Sequence, residues 1–415
     1  MNPSRIPLRF GSGAATFLLA TVGLLTANLS PFMMTTLEES LGIAPVDSGN
    51  LITLCLLATA VSCILITRVA EGPKRRQVAR IGLILSTIGF LATGFSGGIS
   101  WLAIGGLVLG GIGTGVAIAA GGAALAAFEN PNRVSGLSGL TNRTLIGISM
   151  LIIPVFGISL VNVFLALTLF SLAALILVLW LPNAPLADVE TTAVNVPDPR
   201  EVNANSVPSR TVTIAGFAVL IMFAIWAIGE DSIWVMGLEI GTAQAGLSAE
   251  EAGFALGAST FAGLAAAALF SVVGNRLGRV IPIIVIFLIG AGLKLLVTTT
   301  ADPTMFLWSF IGWNTVYTAG FMYFIAIAAA LDPNGKWSGP VMGVYLVGSA
   351  FAPSIGAWVG ETFGIPAVGW FTAAISLILI VPTVFAAWIS VRVERDQTAV
   401  TASGRAANTL RASAS

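Results

Sequence analysis

Twelve long apolar runs make up most of this chain, and each is about as long as a membrane-spanning helix, which needs ~20 apolar residues. Charged residues are 9% of the sequence, whereas a soluble domain carries about 25%. We therefore predict a polytopic membrane protein. The spans should be helices, because lipid offers no partner to free backbone polar groups and the runs lack the alternation of a β-barrel. The predicted spans are 14–36, 48–68, 78–97, 101–127, 135–158, 162–181, 212–236, 252–273, 280–299, 304–330, 339–359 and 367–391.

Two short basic turns at matching positions indicate that the chain is an internal duplication. Thr67–Arg76 reads TRVAEGPKRR and Ser271–Arg279 reads SVVGNRLGR, and each lies between two apolar runs. The sequence NPNR at 130–133 likewise returns as DPNGK at 332–336. Motifs that recur at one offset are typical of membrane proteins built from repeated bundles. We expect the functional site to lie between the two halves.

One long polar segment divides the spans six and six. Residues 183–211 are rich in Pro, Asn, Thr and Val, a composition that favours a flexible linker. We therefore predict a six-helix bundle in 1–182, a cytoplasmic linker in 183–211 and a second six-helix bundle in 212–392. Residues 393–415, which end in RAANTLRASAS, are predicted to be a disordered cytoplasmic tail.

The distribution of lysine and arginine predicts the orientation. With the N-terminus placed in the cytoplasm, the basic loop residues fall inside, and acidic residues at 38, 39, 47, 250, 251, 302 and 361 fall outside. This is the positive-inside pattern. We expect a multi-pass protein of the cell (plasma or inner) membrane with both termini in the cytoplasm. Only Arg143 and Lys294 are basic residues within predicted spans.

The first basic turn carries most of a known signature, roughly G-x-L-A-D-R-x-G-R-R. Ala70, Arg75 and Arg76 match it, Glu71 stands in the aspartate position, and three further positions depart from it. With its six-plus-six pattern, the chain resembles the major facilitator superfamily of secondary transporters over 14–391. The resemblance implies an all-α polytopic fold of twelve transmembrane helices in two pseudo-symmetric six-helix bundles, working as a monomer by alternating access.

The second basic turn is a weaker copy of the same signature. Arg276, Gly278 and Arg279 match, but Asn275 replaces the aspartate. In the family these turns help to lock the two halves together on the cytoplasmic side, and a carboxylate among arginines and helix ends suits a breakable clasp. The alternative is that the arginines only set the topology. The resemblance implies a cytoplasmic gate formed by Glu71, Arg75, Arg76, Arg133, Arg276 and Arg279.

The seventh span carries two adjacent carboxylates, Glu230 and Asp231, toward its outer end. Trp226, Glu230 and Trp234 share one helix face. The chain contains no histidine, so these carboxyls are the candidate proton-coupling groups, and ionisable groups at membrane depth are functional candidates. The alternative is a hydrated helix end, with Trp234 in the interfacial aromatic belt.

Arg143 is the candidate contact for an anionic solute, and its depth depends on where its helix begins. A start near Val134 places Arg143 ~14 Å deep. A start near Leu140 lets the side chain snorkel to the surface, as we also expect of Lys294. The resemblance implies a central cavity lined by spans one, four, seven and ten. The candidate solute contacts are Asn28, Arg143, Trp226, Asn314, Tyr317 and Tyr345, with ordinary helix–helix hydrogen bonding as the alternative for each.

The sequence contains no motif for nucleotide binding or another kind of chemistry. Gly110–Gly115 (GGIGTG) is similar to a dinucleotide loop only in letters, because no strand precedes it, and close helix packing explains it better. We expect no enzyme activity, cofactor, metal site or nucleic-acid partner.

The predicted function is secondary transport of a small organic solute, anionic or zwitterionic, coupled to protons, with lipid as the surroundings. The alternatives are a proton-driven multidrug efflux antiporter and, in another class, a non-transporting membrane sensor or a channel. Uptake and efflux remain open.

Overall fold

The computed structural model describes residues 5–182, 209–273, 278–331 and 337–414, and the regular secondary structure of these residues is helical. Twelve of the described helices are long and apolar enough to cross a membrane. The first half contains α1 (Phe10–Asn28), α2 (Ser30–Leu41), α3 (Pro45–Ala70), α4 (Arg75–Gly94), α5 (Ser100–Leu125), α6 (Pro131–Phe156) and α7 (Leu160–Leu177). The second half contains α8 (Ser209–Val235), α9 (Gly237–Glu239), α10 (Ala249–Val273), α11 (Val280–Thr299), α12 (Pro303–Ala330), α13 (Ser338–Phe363) and α14 (Ile365–Ala414).

The first predicted span is broken in two. Helix α1 ends at Asn28 and α2 begins at Ser30, with Pro31 in its first turn. Proline has no N–H to donate and its ring clashes with the preceding turn, so the chain bends there; a proline inside an apolar run is a sequence signal for such a bend. Helix α2 ends at Gly42, whose positive φ of 62° is the left-handed cap that glycine adopts most easily.

Glycines allow α4 and α5 to pack with their backbones in contact. A Cβ placed on Gly113 would lie 2.3 Å from the backbone nitrogen of Ser86 on α4, and one on Gly111 would lie 2.4 Å from the carbonyl oxygen of Cys55 on α3. No side chain fits at such distances. The GGIGTG run is therefore a packing surface for two neighbouring helices, which confirms that interpretation of the sequence.

The two bundles meet at one end of the molecule. The end at which α1 begins is called here the terminal face, and the other end the opposite face. Near the opposite face α3 packs on α13, where a Cβ on Gly49 would lie 2.6 Å from the carbonyl oxygen of Pro353, and Ser354 Oγ donates to Thr53 Oγ1 at 2.9 Å. There α6 also packs on α10, with Pro154 against Gly253. The halves are thus closed against each other at this face.

The last helix differs from the prediction for the tail. Helix α14 continues to Ala414, whereas the sequence predicts disorder from residue 393. The tail is rich in alanine and holds no proline, so its composition permits a continued helix. Of the predicted linker, residues 183–208 lie outside the described part of the chain.

Candidate functional site

A cavity of about 570 Å³ lies between the two halves. Residues of α1, α3 and α6 line it from the first half, and residues of α8, α10, α12 and α13 line it from the second. Its wall includes Ser135 near the start of α6 and Met342 near the start of α13, so the cavity extends toward the terminal face. The expectation that the fourth span lines it is wrong for the described residues, since α5 is occupied by packing against α3 and α4.

Asp231 lies on the cavity wall at the centre of a cluster of hydroxyl groups. Tyr317 Oη donates to Asp231 Oδ1 at 3.1 Å, and Tyr345 Oη donates to Asp231 Oδ2 at 3.1 Å. The two tyrosine hydroxyls also contact each other at 2.5 Å. Asp231 itself is only 7% exposed, and all three residues line the cavity. The structure therefore brings together three of the residues singled out from the sequence.

The number of protons shared by Asp231, Tyr317 and Tyr345 bears on the protonation state of Asp231. All three pairs among Asp231, Tyr317 and Tyr345 are in oxygen–oxygen contact, but two phenols supply only two protons. A protonated Asp231 supplies the third by donating to one tyrosine; that tyrosine then donates to the other instead of to Asp231, and each group in the closed ring donates once and accepts once. Such rings strengthen cooperatively in a low-dielectric interior. The geometry accommodates a neutral Asp231 with every hydrogen bond made.

Arg143 reaches the cavity from the first half. Its helix begins at Pro131, so Arg143 lies about 18 Å along the axis. The deep alternative therefore describes its position. A Cβ placed on Gly263 of α10 would lie 3.5 Å from Arg143 Nη1 and 3.6 Å from Asn314 Oδ1, so the guanidinium approaches the second half across the cavity. Arg143 and Asp231 line the same cavity from different halves.

The remaining candidate contacts divide into two groups. Asn28 and Asn314 line the cavity. Asn314 Nδ2 donates to Ser259 Oγ at 2.9 Å, and its Oδ1 is buried without a partner among the described residues. Trp226 lies behind the wall, buried and stacked on Tyr317 with ring centroids 5.3 Å apart. Trp234 lines the cavity and donates through Nε1 to the Asn28 carbonyl at 3.1 Å, which links α8 to α1.

The prediction that Lys294 snorkels to the surface is wrong. Its side chain is 0% exposed, and Nζ contacts Glu230 Oε1 at 2.5 Å and Ser376 Oγ at 2.7 Å. Trp313 Nε1 donates to the other carboxylate oxygen of Glu230 at 2.7 Å. Snorkelling needs an open path to the membrane surface, whereas α14 covers this side of α11. Sequence reasoning missed the pair, although two carboxylates in span seven and one lysine in span nine were the available signal.

The five described gate residues lie at the terminal face, where Arg75, Arg76 and Arg279 each contact residues of their own half. Arg75 is buried and donates to the carbonyl oxygens of Ala70 and Pro182 at 2.9 and 3.0 Å. Arg76 donates to the Leu181 carbonyl at 2.6 Å, and Arg279 pairs with a carboxylate on α14 at 2.8 Å. Glu71 and Arg133 are exposed, and Arg276 lies outside the described residues.

Solved structures of transporters share this architecture at low sequence identity. The crystal structure of a D-xylose–proton symporter is 15% identical, with a TM-score of 0.65 over 88% of this chain and 96% of its own. Peptide transporter POT in complex with sulfate is 12% identical, with a TM-score of 0.70 over 95% and 98%. The inward open conformation of the xylose transporter XylE from E. coli is 12% identical, with a TM-score of 0.63 over 88% and 94%. At such identities the likeness concerns the fold alone.

The sequence itself identifies the family. A search of curated proteins finds no match. The family model described as Major Facilitator Superfamily matches residues 15–236, which is more than half of the 415-residue chain. Twelve apolar helices in two six-helix bundles agree with that match. The chain therefore belongs to the Major Facilitator Superfamily and is a multi-pass membrane protein.

Proposed function

We propose that this protein is a secondary active transporter that carries a small organic solute bearing a carboxylate, anionic or zwitterionic, and couples its movement to protons. The observation that carries the proposal is that Arg143 and Asp231 line one cavity between the halves. A guanidinium binds a carboxylate in a bidentate manner, and a carboxyl at membrane depth can carry a proton. One cavity thus holds a group for the solute and a group for the proton.

Asp231 supports the coupling better than Glu230. Asp231 lines the cavity, where solute and water reach it, and its hydroxyl ring accepts a proton without losing a hydrogen bond. Glu230 is already paired with Lys294 away from the cavity. One structural neighbour is a D-xylose–proton symporter, so the same kind of coupling is known for that protein.

Alternating access would follow from the two bundles moving about this cavity. In the present arrangement the opposite face is closed by α3 on α13 and α6 on α10, and the cavity extends toward the terminal face. We propose that the terminal face is cytoplasmic, as the positive-inside pattern predicts. When that face closes, Glu71, Arg75, Arg76, Arg133, Arg276 and Arg279 would form the clasp between the halves. The bundles 1–182 and 212–392 would move as units within one monomer.

A transport experiment on the purified protein tests the proposal. A thermal-shift screen of carboxylates, amino acids, dipeptides, sugars and apolar cations first selects the compound that stabilises the protein most. Binding stabilises the folded state by about 2.7 kcal/mol at a hundred times Kd, which such a screen detects. That compound, radiolabelled, is then followed in proteoliposomes.

The expected results separate the candidate functions. We expect a carboxylate-bearing compound, saturable counterflow, and accumulation driven by an imposed pH gradient. Counterflow that does not saturate would indicate a channel, and selection of an apolar cation would favour a drug antiporter. The direction of the effective pH gradient distinguishes uptake from efflux.

A further inference from the structure

Beside the cavity lies a second charged group that the proposed transport step does not use. Glu230 and Lys294 have side chains that are 4% and 0% exposed, and they form an ion pair between α8 and α11. Both carboxylate oxygens of Glu230 have a donor, Lys294 on one and Trp313 on the other. Lys294 also donates to Ser376 on α14. The pair is thus fully hydrogen-bonded, which an ion pair inside a protein requires.

The charge inventory around Glu230 leaves Lys294 as its counter-charge. Helix α11 carries no other charged residue, and α12 carries none at all. On α13 the one charged residue is Glu361, near the opposite face, and on α14 none precedes Arg392. Asp231, the next residue along α8, faces the cavity and its tyrosines instead.

Two adjacent carboxyl groups therefore have different environments. Without a counter-charge, a buried Glu230 would take up a proton rather than remain charged, because an isolated buried charge is very costly. It would then compete with Asp231 as a proton-binding group. Lys294 removes that competition by holding the Glu230 carboxylate in an ion pair.

We propose that Lys294 is a positioning residue for proton coupling, which holds Glu230 in a fully hydrogen-bonded ion pair and leaves Asp231 as the one proton-carrying carboxyl of α8. The ion pair also fixes α8 against α11, α12 and α14, so that Asp231 faces Tyr317 and Tyr345. This inference rests on the proposed function, because it concerns which group carries the proton.

Infrared difference spectroscopy of the full chain in liposomes tests the proposal without any solute. The spectrum between acid and alkaline pH reports the C=O stretch of each carboxyl that gains a proton. We expect a buried-carboxyl band, distinct from that of Glu239 at the opposite face, that disappears in Asp231→Asn and persists in Glu230→Gln. We expect Lys294→Met to add a further band, because Glu230 loses its counter-charge, and the double variant Lys294→Met/Glu230→Gln to lack it.

Two control variants separate the charge of Lys294 from its packing. Lys294→Arg keeps the charge, and Ser376→Ala removes one hydrogen bond of Lys294 while leaving the ion pair. Both should give the wild-type number of bands. A role in packing alone would not create a new carboxyl band in Lys294→Met.

The outcomes that contradict the proposal differ from those that contradict the transport function. A wild-type band that disappears in Glu230→Gln overturns it, as does a folded Lys294→Met variant without an additional band. Where Lys294→Met does not fold, the comparison of Glu230→Gln with Asp231→Asn decides. If neither of these two substitutions removes a band, the proton site of the proposed function is wrong and the positioning role falls with it. A protein that shows the expected bands but transports nothing contradicts the proposed function alone.

Discussion

Arg143 and Asp231 belong to different bundles and line the same cavity, so a guanidinium and a carboxyl group face one space where the two halves of the chain come together. Neither residue is paired with the other in the contacts of the structure: Asp231 is occupied by Tyr317 and Tyr345, and Arg143 reaches toward Gly263. A solute that joins the two walls would therefore bind both halves at once. Such a solute can shift the two bundles toward closure around it, because it binds the closed arrangement more tightly than the open one.

The Arg143→Gln substitution should weaken binding of a carboxylate-bearing solute. A hydrogen bond to a charged group is worth about 1.5–3 kcal/mol, so Kd should rise roughly ten- to hundred-fold. Arg143→Lys should recover part of the loss, since lysine keeps the charge but not the bidentate geometry. Isothermal titration calorimetry measures the change. Arg80→Gln, at an exposed position on α4, serves as the control and should bind as wild type. Equal affinity in Arg143→Gln and the control would contradict this role.

Closure of the opposite face should depend on pH through a group of carboxylates. Burial, with a smaller contribution from the carboxylates of Glu38 and Glu361, raises the pKa of Glu239 to about 7. Burial likewise raises the pKa of Glu38. These residues come from both halves, and Glu361 accepts from the Val46 backbone N–H at 3.0 Å. Closure thus brings like charges together at a partly buried site.

The sign of this effect follows from linkage. A carboxyl whose pKa is raised in the closed arrangement holds its proton more tightly there, so the proton favours closure at low pH. As pH rises from the ordinary value of 4.5 through about 7, Glu239 ionises and closure loses that support. We expect spin labels at Glu39 and Glu250, exposed positions on the two halves, to separate as pH rises from 5 to 8 (roughly the interval that spans both values). Glu239→Gln should remove most of the change, and an unchanged response in that variant would contradict the assignment.

Packing of α5 against α4 predicts which glycines tolerate a side chain. Gly113→Leu should destabilise the protein by about 1–3 kcal/mol or prevent folding, because its Cβ would meet the backbone of α4. Gly105→Ala, on the same helix with nothing within 4 Å of the added Cβ, is the matched control. Thermal unfolding in detergent compares the two. A Tm of Gly113→Leu equal to that of the control would be inconsistent with the close approach of these helices.

The sequence predicts the architecture well because the membrane restricts it strongly. Long apolar runs must be helices in lipid, and the basic turns between them predict an orientation. Pro31 predicts the break between α1 and α2, and the glycines of α5 predict its close packing. These signals are local in the chain. They can therefore be interpreted without knowing which helices contact each other.

The partners of the site residues could not be predicted in the same way. Lys294 pairs with Glu230 across 64 positions of sequence, and only the packing of α8, α11 and α14 decides between that pair and a snorkelling lysine. Trp226 shares a helix face with Glu230, but the position of Tyr317 places it behind the cavity wall. The depth of Arg143 depended on one helix start, which the polar residues after Pro131 obscured. Each of these is a question of tertiary contact.

Solute accumulation by Asp231→Asn proteoliposomes tests the central claim most directly. The account predicts that this variant loses accumulation driven by a pH gradient by at least about tenfold while keeping counterflow, which needs no net proton movement. Asp47→Asn, at an exposed position, should behave as wild type. Accumulation by Asp231→Asn that equals the wild-type value under the same gradient would contradict the assignment of Asp231 as the proton carrier.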